Sequence, residues 1–254
     1  MAEGHHSPLE QFSIETLVPF KLFGLDASFT NSSLFMVIAV AAVTLFMAFG
    51  MRPKAVVPGR FQASVEMFYD FVAGLVQENI GSAGKRYFPL VFSLFMFVLF
   101  CNLLGLLPVS PTKSGFTVTS HIIVTFAMAL FVFVLATVVG FMHHGIHFLS
   151  FFVPKGVPAL LLPLMVPIEV MSYFIRPITL SVRLFANMVA GHVMLAVIGG
   201  FVFSLGGVFF LLGGIPLAAV VAIFALELLI ACLQAYVFAV LTCIYLNDAI
   251  HMAH

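Results

Sequence analysis

Two stretches of this chain, Tyr87 to Leu107 and Thr117 to Met142, contain no Asp, Glu, Lys or Arg at all. Each matches the roughly 20 apolar residues that carry a helix across a bilayer. The rest of the composition agrees. Of 254 residues, 63% are hydrophobic and only 8% are charged, with ten Lys+Arg against ten Asp+Glu and nine His beside them. A soluble domain is about 25% charged, and so few charges cannot cover a soluble surface on a chain of this length. Mean hydropathy is +1.20. An integral membrane protein with several spans is therefore expected. A net charge of zero and a pI near 7.1 leave no basic footprint for nucleic acid.

Cysteine and the N-terminus add little. Cys101, Cys232 and Cys243 lie in apolar runs without metal-ligand spacing, and read as small hydrophobes in helices. The first 30 residues carry Glu3, Glu10, Glu15 and Asp26 with only Lys21 on the basic side, which is not the pattern of a signal peptide. His5 and His6 read as a solvated terminus.

Five spans and one surface helix follow from the pattern. The first span runs from about Leu34 to Phe49 and ends at the charged breaker Arg52-Pro53-Lys54. From Phe61 to Ile80, Glu66, Asp70, Gln77 and Glu78 alternate with Phe61, Val65, Phe68, Phe71, Val72 and Leu75, an amphipathic helix for a membrane surface or a partner. Tyr87 to Leu107 and Thr117 to Met142 are the second and third spans, separated by an exit loop with Pro108 and Pro111. His143, His144 and His147 are expected in the next loop, with Pro154, Lys155 and Pro158. The remainder is one long apolar hairpin, residues 158–250. Its arms run from about Leu160 to Phe203 and from about Ile215 to Ala249, and Gly206-Gly207 and Gly213-Gly214 mark the junction. Both arms exceed an upright crossing and must tilt, kink or lie partly flat. Pro163, Pro167 and Pro177 are expected to supply kinks. The fold class is thus all-α, a single membrane domain with an outer segment at residues 1–30 and a surface helix at 60–82.

Basic residues set the orientation. With the N-terminus outside, the inner loops hold Arg52, Lys54, Arg60, Lys85, Arg86 and Lys155, and the outer segments hold Lys21 and Lys113. The excess inside gives N-out, C-in. No internal repeat is found, which disfavours an inverted-repeat transporter.

Ionisable residues within apolar runs are costly and mark function by default. Here they fall in the last hairpin: Glu169, Arg176, Arg183, His192, Glu227 and Asp248, with Ser172, Thr179, Asn187, Gln234 and Tyr236 as polar companions. At about 100° per residue, Glu169, Ser172, Arg176, Thr179, Arg183 and Asn187 lie within about 40° of one line. His192 is about 180° from Arg183 and faces the other arm. Glu227, Gln234 and Tyr245 share a face of the second arm. If the arms are regular and similarly tilted, residues at equal depth have a constant sum of numbers. His192 then lies opposite Glu227 outermost, Arg183 opposite Gln234 centrally, and Glu169 opposite Asp248 innermost. Arginine is effectively never deprotonated. A central arginine can be a fixed positive barrier but not a proton relay, whereas His192, Glu227 and Glu169 can exchange protons.

The stretch Arg176-Pro-Ile-Thr-Leu-Ser-Val-Arg183-Leu-Phe-Ala-Asn187-Met-Val-Ala-Gly-His192 and the stretch Leu226-Glu227-Leu-Leu-Ile-Ala-Cys-Leu-Gln234-Ala-Tyr236-Val-Phe resemble subunit a of the F-type ATP synthase. Phe100-Cys-Asn102-Leu-Leu-Gly-Leu-Leu-Pro108 resembles that family's second-span motif. The resemblance covers the chain from about residue 10. It implies a non-catalytic stator subunit that loads and unloads protons on a rotating c-ring through two offset half-channels. It implies Arg183 as the essential stator arginine, assisted by Asn187 and Gln234, with His192 and Glu227 in the outer half-channel and Glu169 in the inner one. Ser172, Arg176, Thr179, Tyr236, Asn102 and Asp248 would be supporting residues. Many bacterial members have an acid shortly after the asparagine that matches Asn102. Gly105 or a neighbour replaces it here, so that part of the outer channel is expected to be built differently. The implied partners are the c-ring, the peripheral-stalk b subunits, the other synthase subunits and lipid, with no metal or cofactor. The implied place is a bacterial inner membrane, with a mitochondrial inner membrane as the alternative.

The bland alternatives are a structural ion pair of Arg183 with Glu169 or Glu227, a buried His192–Glu227 pair, a snorkelling Arg176, and Asp248 as an interfacial charge. Two further function classes would leave other marks. A secondary transporter predicts repeats and a substrate-sized midplane cavity. A purely structural subunit has no need of paired polar residues at three depths. No G-x-x-x-x-G-K-[ST] loop occurs, which disfavours an autonomous ATPase.

Overall fold

The computed structural model describes residues 14–19, 21–22, 25–26, 28–51, 58–107, 117–153, 160–206 and 214–251. The breaker at Arg52-Pro53-Lys54, the exit loop with Pro108, Pro111 and Lys113, and Pro154, Lys155 and Pro158 lie outside the described residues. So do the terminal His5 and His6, and the middle of the hairpin junction, residues 207–213.

Among the described residues six α-helices carry the fold: α1 Asn31–Gly50, α2 Arg60–Ile80, α3 Phe88–Leu106, α4 Ile122–His144, α5 Leu162–Gly206 and α6 Gly214–His251. All but α2 are long and apolar enough to cross a membrane. The protein is an all-α, multi-pass membrane protein. In hydrocarbon a helix satisfies its backbone within one segment, so long apolar runs resolve into helices. Four short strands precede α1. β1, Thr16–Val18, pairs antiparallel with β4, Phe29–Thr30, and β2, Lys21–Leu22, pairs with β3, Leu25–Asp26. Strands of two or three residues are too short for a period-2 alternation to register in the sequence.

The helices group into two compact units. The first holds residues 1–47, 96–121 and 184–235. Here Phe46 of α1 meets Phe100 of α3, ring centroids 5.7 Å apart, and Leu106, Met188 and Ala231 form a buried cluster. The second holds residues 48–95, 122–183 and 236–254. In it α2 buries one stripe, Val65, Val72, Leu75, Val76 and Ile80, and leaves Glu66, Asp70, Gln77 and Glu78 exposed. That is the amphipathic division expected from its sequence. An aromatic ladder ties α2 to the start of α3: Tyr69 sits edge-on to Phe88 at 4.7 Å, and Phe71 lies 5.7 Å from Phe95.

Three boundaries differ from the sequence reading. The third span begins at Ile122 rather than Thr117, and Val118–Ser120 form a tight 3-10 turn before it. His143 and His144 are the last residues of α4, and His147 lies in a 3-10 helix, Gly145–Phe152, rather than in an open loop. Gly145 turns the chain there with φ of 57°, a conformation that favours glycine. Pro163 is the second residue of α5, where a missing N–H removes no helical bond, so it starts the helix instead of kinking it. Pro167 and Pro177 do lie inside α5.

Apolar helix faces alone would leave the 3-10 segment free to slide. Phe148 and Phe151 anchor it, forming a buried cluster with Tyr173 of α5. Gly140 permits the close approach, because a Cβ there would overlap the Phe148 ring. Gly140→Ala should therefore lower stability by about 1–3 kcal/mol through overpacking. The thermal midpoint of the detergent-solubilised protein measures this, and Phe148→Leu in the same chain should recover part of the loss.

Candidate functional site

Polar side chains concentrate in two places, one in each unit. In the first unit they are buried. His192 on α5 and Glu227 on α6 are each 5% exposed, and Gln234, one face down from Glu227, is 4% exposed. Helical phase explains the placement. Leu184, Met188 and His192 fall on one buried face of α5, while Asn187 points to the exposed side. On α6, Glu227, Ala231, Gln234 and Ala235 recur at helical spacing on the buried face. His192 thus faces inward, as its phase predicts. Gly191 brings the two arms together there, since a Cβ on it would collide with the Glu227 carboxylate. Gly191, the neighbour of His192, is thus the residue of α5 that lies against Glu227. Oε2 of Glu227 is buried with no hydrogen-bond partner among the described residues.

Around this pair lies a polar network that the sequence reading did not identify beyond Asn102. The Asn102 side chain is fully buried; its Nδ2 donates to the Ala231 carbonyl at 3.3 Å and its Oδ1 accepts from the Thr119 hydroxyl at 2.7 Å. The Thr117 hydroxyl shares a hydrogen bond with Nε2 of His192. Ser120 donates to the Thr117 carbonyl at 2.6 Å and lies 3.3 Å from Nδ1 of His121. His121, outside the span, is held below its ordinary pKa by burial, with the Ser120 backbone acting the other way. The sequence signal was available: Thr117, Thr119, Ser120 and His121 form a polar cluster at the head of an otherwise apolar run. Gly105, expected to mark a different construction, is where the chain makes room. A Cβ at Gly105 would overlap the Thr117 side chain.

In the second unit the polar residues divide by exposure. Ser172, Thr179 and Arg183 are exposed on α5, while Tyr173, Pro177 and Leu180 are buried. Glu169 is half-buried. Arg176 lies on the same stripe but is committed within the chain. Its Nη1 donates to Oδ2 of Asp248 at 3.0 Å. Its guanidinium stacks 5.6 Å from the Tyr173 ring and 5.5 Å from the Tyr245 ring. Cation–π contact and ion pair reinforce each other there. Tyr173 in turn shares a 2.7 Å hydrogen bond with Thr137 of α4.

Asp248, expected opposite Glu169, instead pairs with Arg176. Tyr236 is exposed and its ring lies 6.0 Å from Phe71. It points away from the face that carries Glu227 and Gln234. His144 bonds the Ile250 carbonyl at 3.0 Å. Among the described residues no group of three His, Cys, Asp or Glu is arranged to hold a metal.

The family model described as ATP synthase A chain matches residues 33–247. The ATP synthase subunit a of Paramagnetospirillum magneticum is 55% identical over 246 residues, covering 97% of this chain and 99% of that protein. The subunit a of Chelativorans sp. is 58% identical over 250 residues, covering 97% and 98%. That of Mesorhizobium japonicum is 55% identical over 257 residues and covers the full length of both. With the family model spanning most of the chain and relatives this similar along their whole length, the chain belongs to the ATP synthase A chain family.

Proposed function

We propose that this chain is the stator subunit a of the membrane sector of an F-type ATP synthase, and that it carries protons to and from a rotating c-ring without itself catalysing ATP chemistry. The observation that carries this reading is the division of polar residues on α5. Arg183 is exposed in the middle of an apolar span, while His192 is buried and its neighbour Gly191 lies against Glu227. An arginine at mid-membrane costs about 2.5–3.5 kcal/mol on insertion scales if it faces lipid. A second subunit offering a carboxylate removes that cost. Ser172, Thr179 and Asn187, also exposed on α5, extend the polar surface that such a partner would cover.

The chemistry follows from which groups can change charge. His192 and Glu227 can bind and release a proton, so they serve as the outer half-channel, with Asn102 and Gln234 as its polar lining. A proton delivered there neutralises a ring carboxylate, which can then turn into lipid. A returning site meets Arg183, whose permanent charge favours the ionised carboxylate and blocks a direct leak. The released proton leaves by an inner route near Glu169. Arg176 and Asp248 hold the inner ends of α5 and α6 together beside that route. The membrane potential contributes about 2.3 kcal/mol per charge per 100 mV, so several protons must pass for each ATP.

The N-terminus lies outside and the C-terminus inside, in a bacterial inner membrane, by the distribution of basic loops. The c-ring, the peripheral-stalk b subunits and the remaining synthase subunits are its partners.

Two measurements test this. In vesicles carrying the complete synthase, Arg183→Ala should abolish ATP synthesis driven by a proton gradient; synthesis at the unaltered rate would sink the proposal. Glu227→Gln, which keeps the shape but not the titrating proton, should lower ATP-driven proton pumping by roughly 100-fold if the acid is a relay. A change of less than twofold would leave Glu227 as a structural residue only.

A further inference from the structure

Thr117 occupies a position that neither its sequence context nor the proposed roles of His192 and Glu227 explain. It is 2% exposed, and its hydroxyl bonds Nε2 of His192, itself 5% exposed. The surrounding backbone is arranged to keep it there. Ser120 donates to the Thr117 carbonyl at 2.6 Å, and the backbone N–H groups of Ser120 and His121 bond the carbonyls of Thr117 and Val118, closing a tight turn. Two residues on, Thr119 bonds Asn102 of α3, and Asn102 bonds the Ala231 carbonyl of α6. The turn is thereby tied to two helices. Gly105, one turn after Asn102 on α3, has no side chain to displace Thr117; a Cβ would strike both its hydroxyl and its methyl group.

A threonine hydroxyl both donates and accepts. Against a neutral imidazole it can donate to an unprotonated Nε2 or accept from a protonated one, so it can follow His192 through a change of charge. A buried histidine without such a partner would lose that hydrogen bond in one of its two states, at the desolvation cost of an unsatisfied polar group. We infer that Thr117 is a positioning residue of the outer proton path: its hydroxyl, admitted by Gly105 and fixed by the Ser120 and Thr119–Asn102 bonds, holds the His192 ring in one orientation and stays bonded to it in both protonation states. This rests on the proposed role of His192 and Glu227.

The test uses inverted vesicles containing the complete synthase, with ATP-driven proton pumping normalised to the amount of assembled complex. Thr117→Val keeps the branched shape and removes the hydroxyl; Thr117→Ser keeps the hydroxyl and removes the methyl group. A positioning role predicts that Val slows pumping about five- to tenfold, the scale of one lost buried hydrogen bond, and that Ser stays within about twofold of the unaltered protein. A packing role predicts the opposite order, because Val is closer to Thr in volume and shape. Pumping in Thr117→Val at the unaltered rate, or Ser slower than Val, overturns the inference. If Thr117→Val does not assemble, Thr117→Ala is compared with Ser in the same way. Parallel His192→Ala and Glu227→Gln variants separate the two levels. If both pump normally, the outer-channel reading itself falls. If both are slow while Thr117→Val is normal, only the role of Thr117 falls.

Discussion

A polar group inside an apolar span is costly without a partner, and much of the structure is organised by where those partners come from. Backbone groups are satisfied inside each helix, which is why the long runs become α1, α3, α4, α5 and α6. Side chains have two other sources. Some are satisfied within the chain: Asn102 by Thr119 and the Ala231 carbonyl, His192 by Thr117, and Arg176 by Asp248 and two tyrosine rings. A second set, Arg183 and Asn187 among them, lies on exposed faces of α5 whatever contacts it makes within the chain. The first set fixes how the helices pack. In the proposed function the second set is what the rotating partner covers.

The distribution of polar residues was largely legible from the sequence because helical phase is a strong regularity. Placing His192 about 180° from Arg183 needs only the 3.6-residue repeat, and the buried and exposed sides of α5 follow it. The amphipathic division of α2 was read by the same rule. Register was legible only in part. The outer level, where Gly191 meets Glu227, agrees with a constant sum across the hairpin. At the other end of the hairpin Asp248 bonds Arg176, a contact that the sum does not anticipate. A sum rule presumes two straight rods of equal pitch and tilt. Pro167 and Pro177 both lie in the inner part of α5, and each removes a backbone donor from that helix.

The network around Thr117 was not legible for a different reason. An apolar run reads as one span, and Thr, Ser and His at its head scarcely lower its average hydropathy. What makes them matter is a contact distant in sequence: Thr117 with His192, and Asn102 with Ala231. Glycine was the available clue. Gly105 and Gly191 both stand where a Cβ would strike a buried polar side chain, Thr117 in one case and Glu227 in the other. Glycine in a membrane helix reads readily as a kink or a packing contact. Here two glycines mark where the helix backbone yields space to a polar group.

The two arginines of α5 show how the same residue type, seven positions apart on one helical stripe, comes to serve two ends. Seven residues is close to two turns, so phase alone does not distinguish Arg176 from Arg183. Their surroundings do. Arg176 meets a carboxylate at 3.0 Å and lies between Tyr173 and Tyr245, and its charge is spent inside the protein. A cation held in this way is a strut: removing it would leave Asp248 uncompensated, and moving it would cost both the ion pair and the ring contacts. Arg183 has Tyr245 in its electrostatic environment but is exposed on the outer side of the helix. In the proposed function a cation that meets a succession of ring carboxylates has to be open to them, and the exposed face of α5 allows that. The paired and the exposed arginine are therefore complementary: Arg176 ties α5 to α6 through Asp248, and Arg183, two turns further along α5, lies on its exposed side.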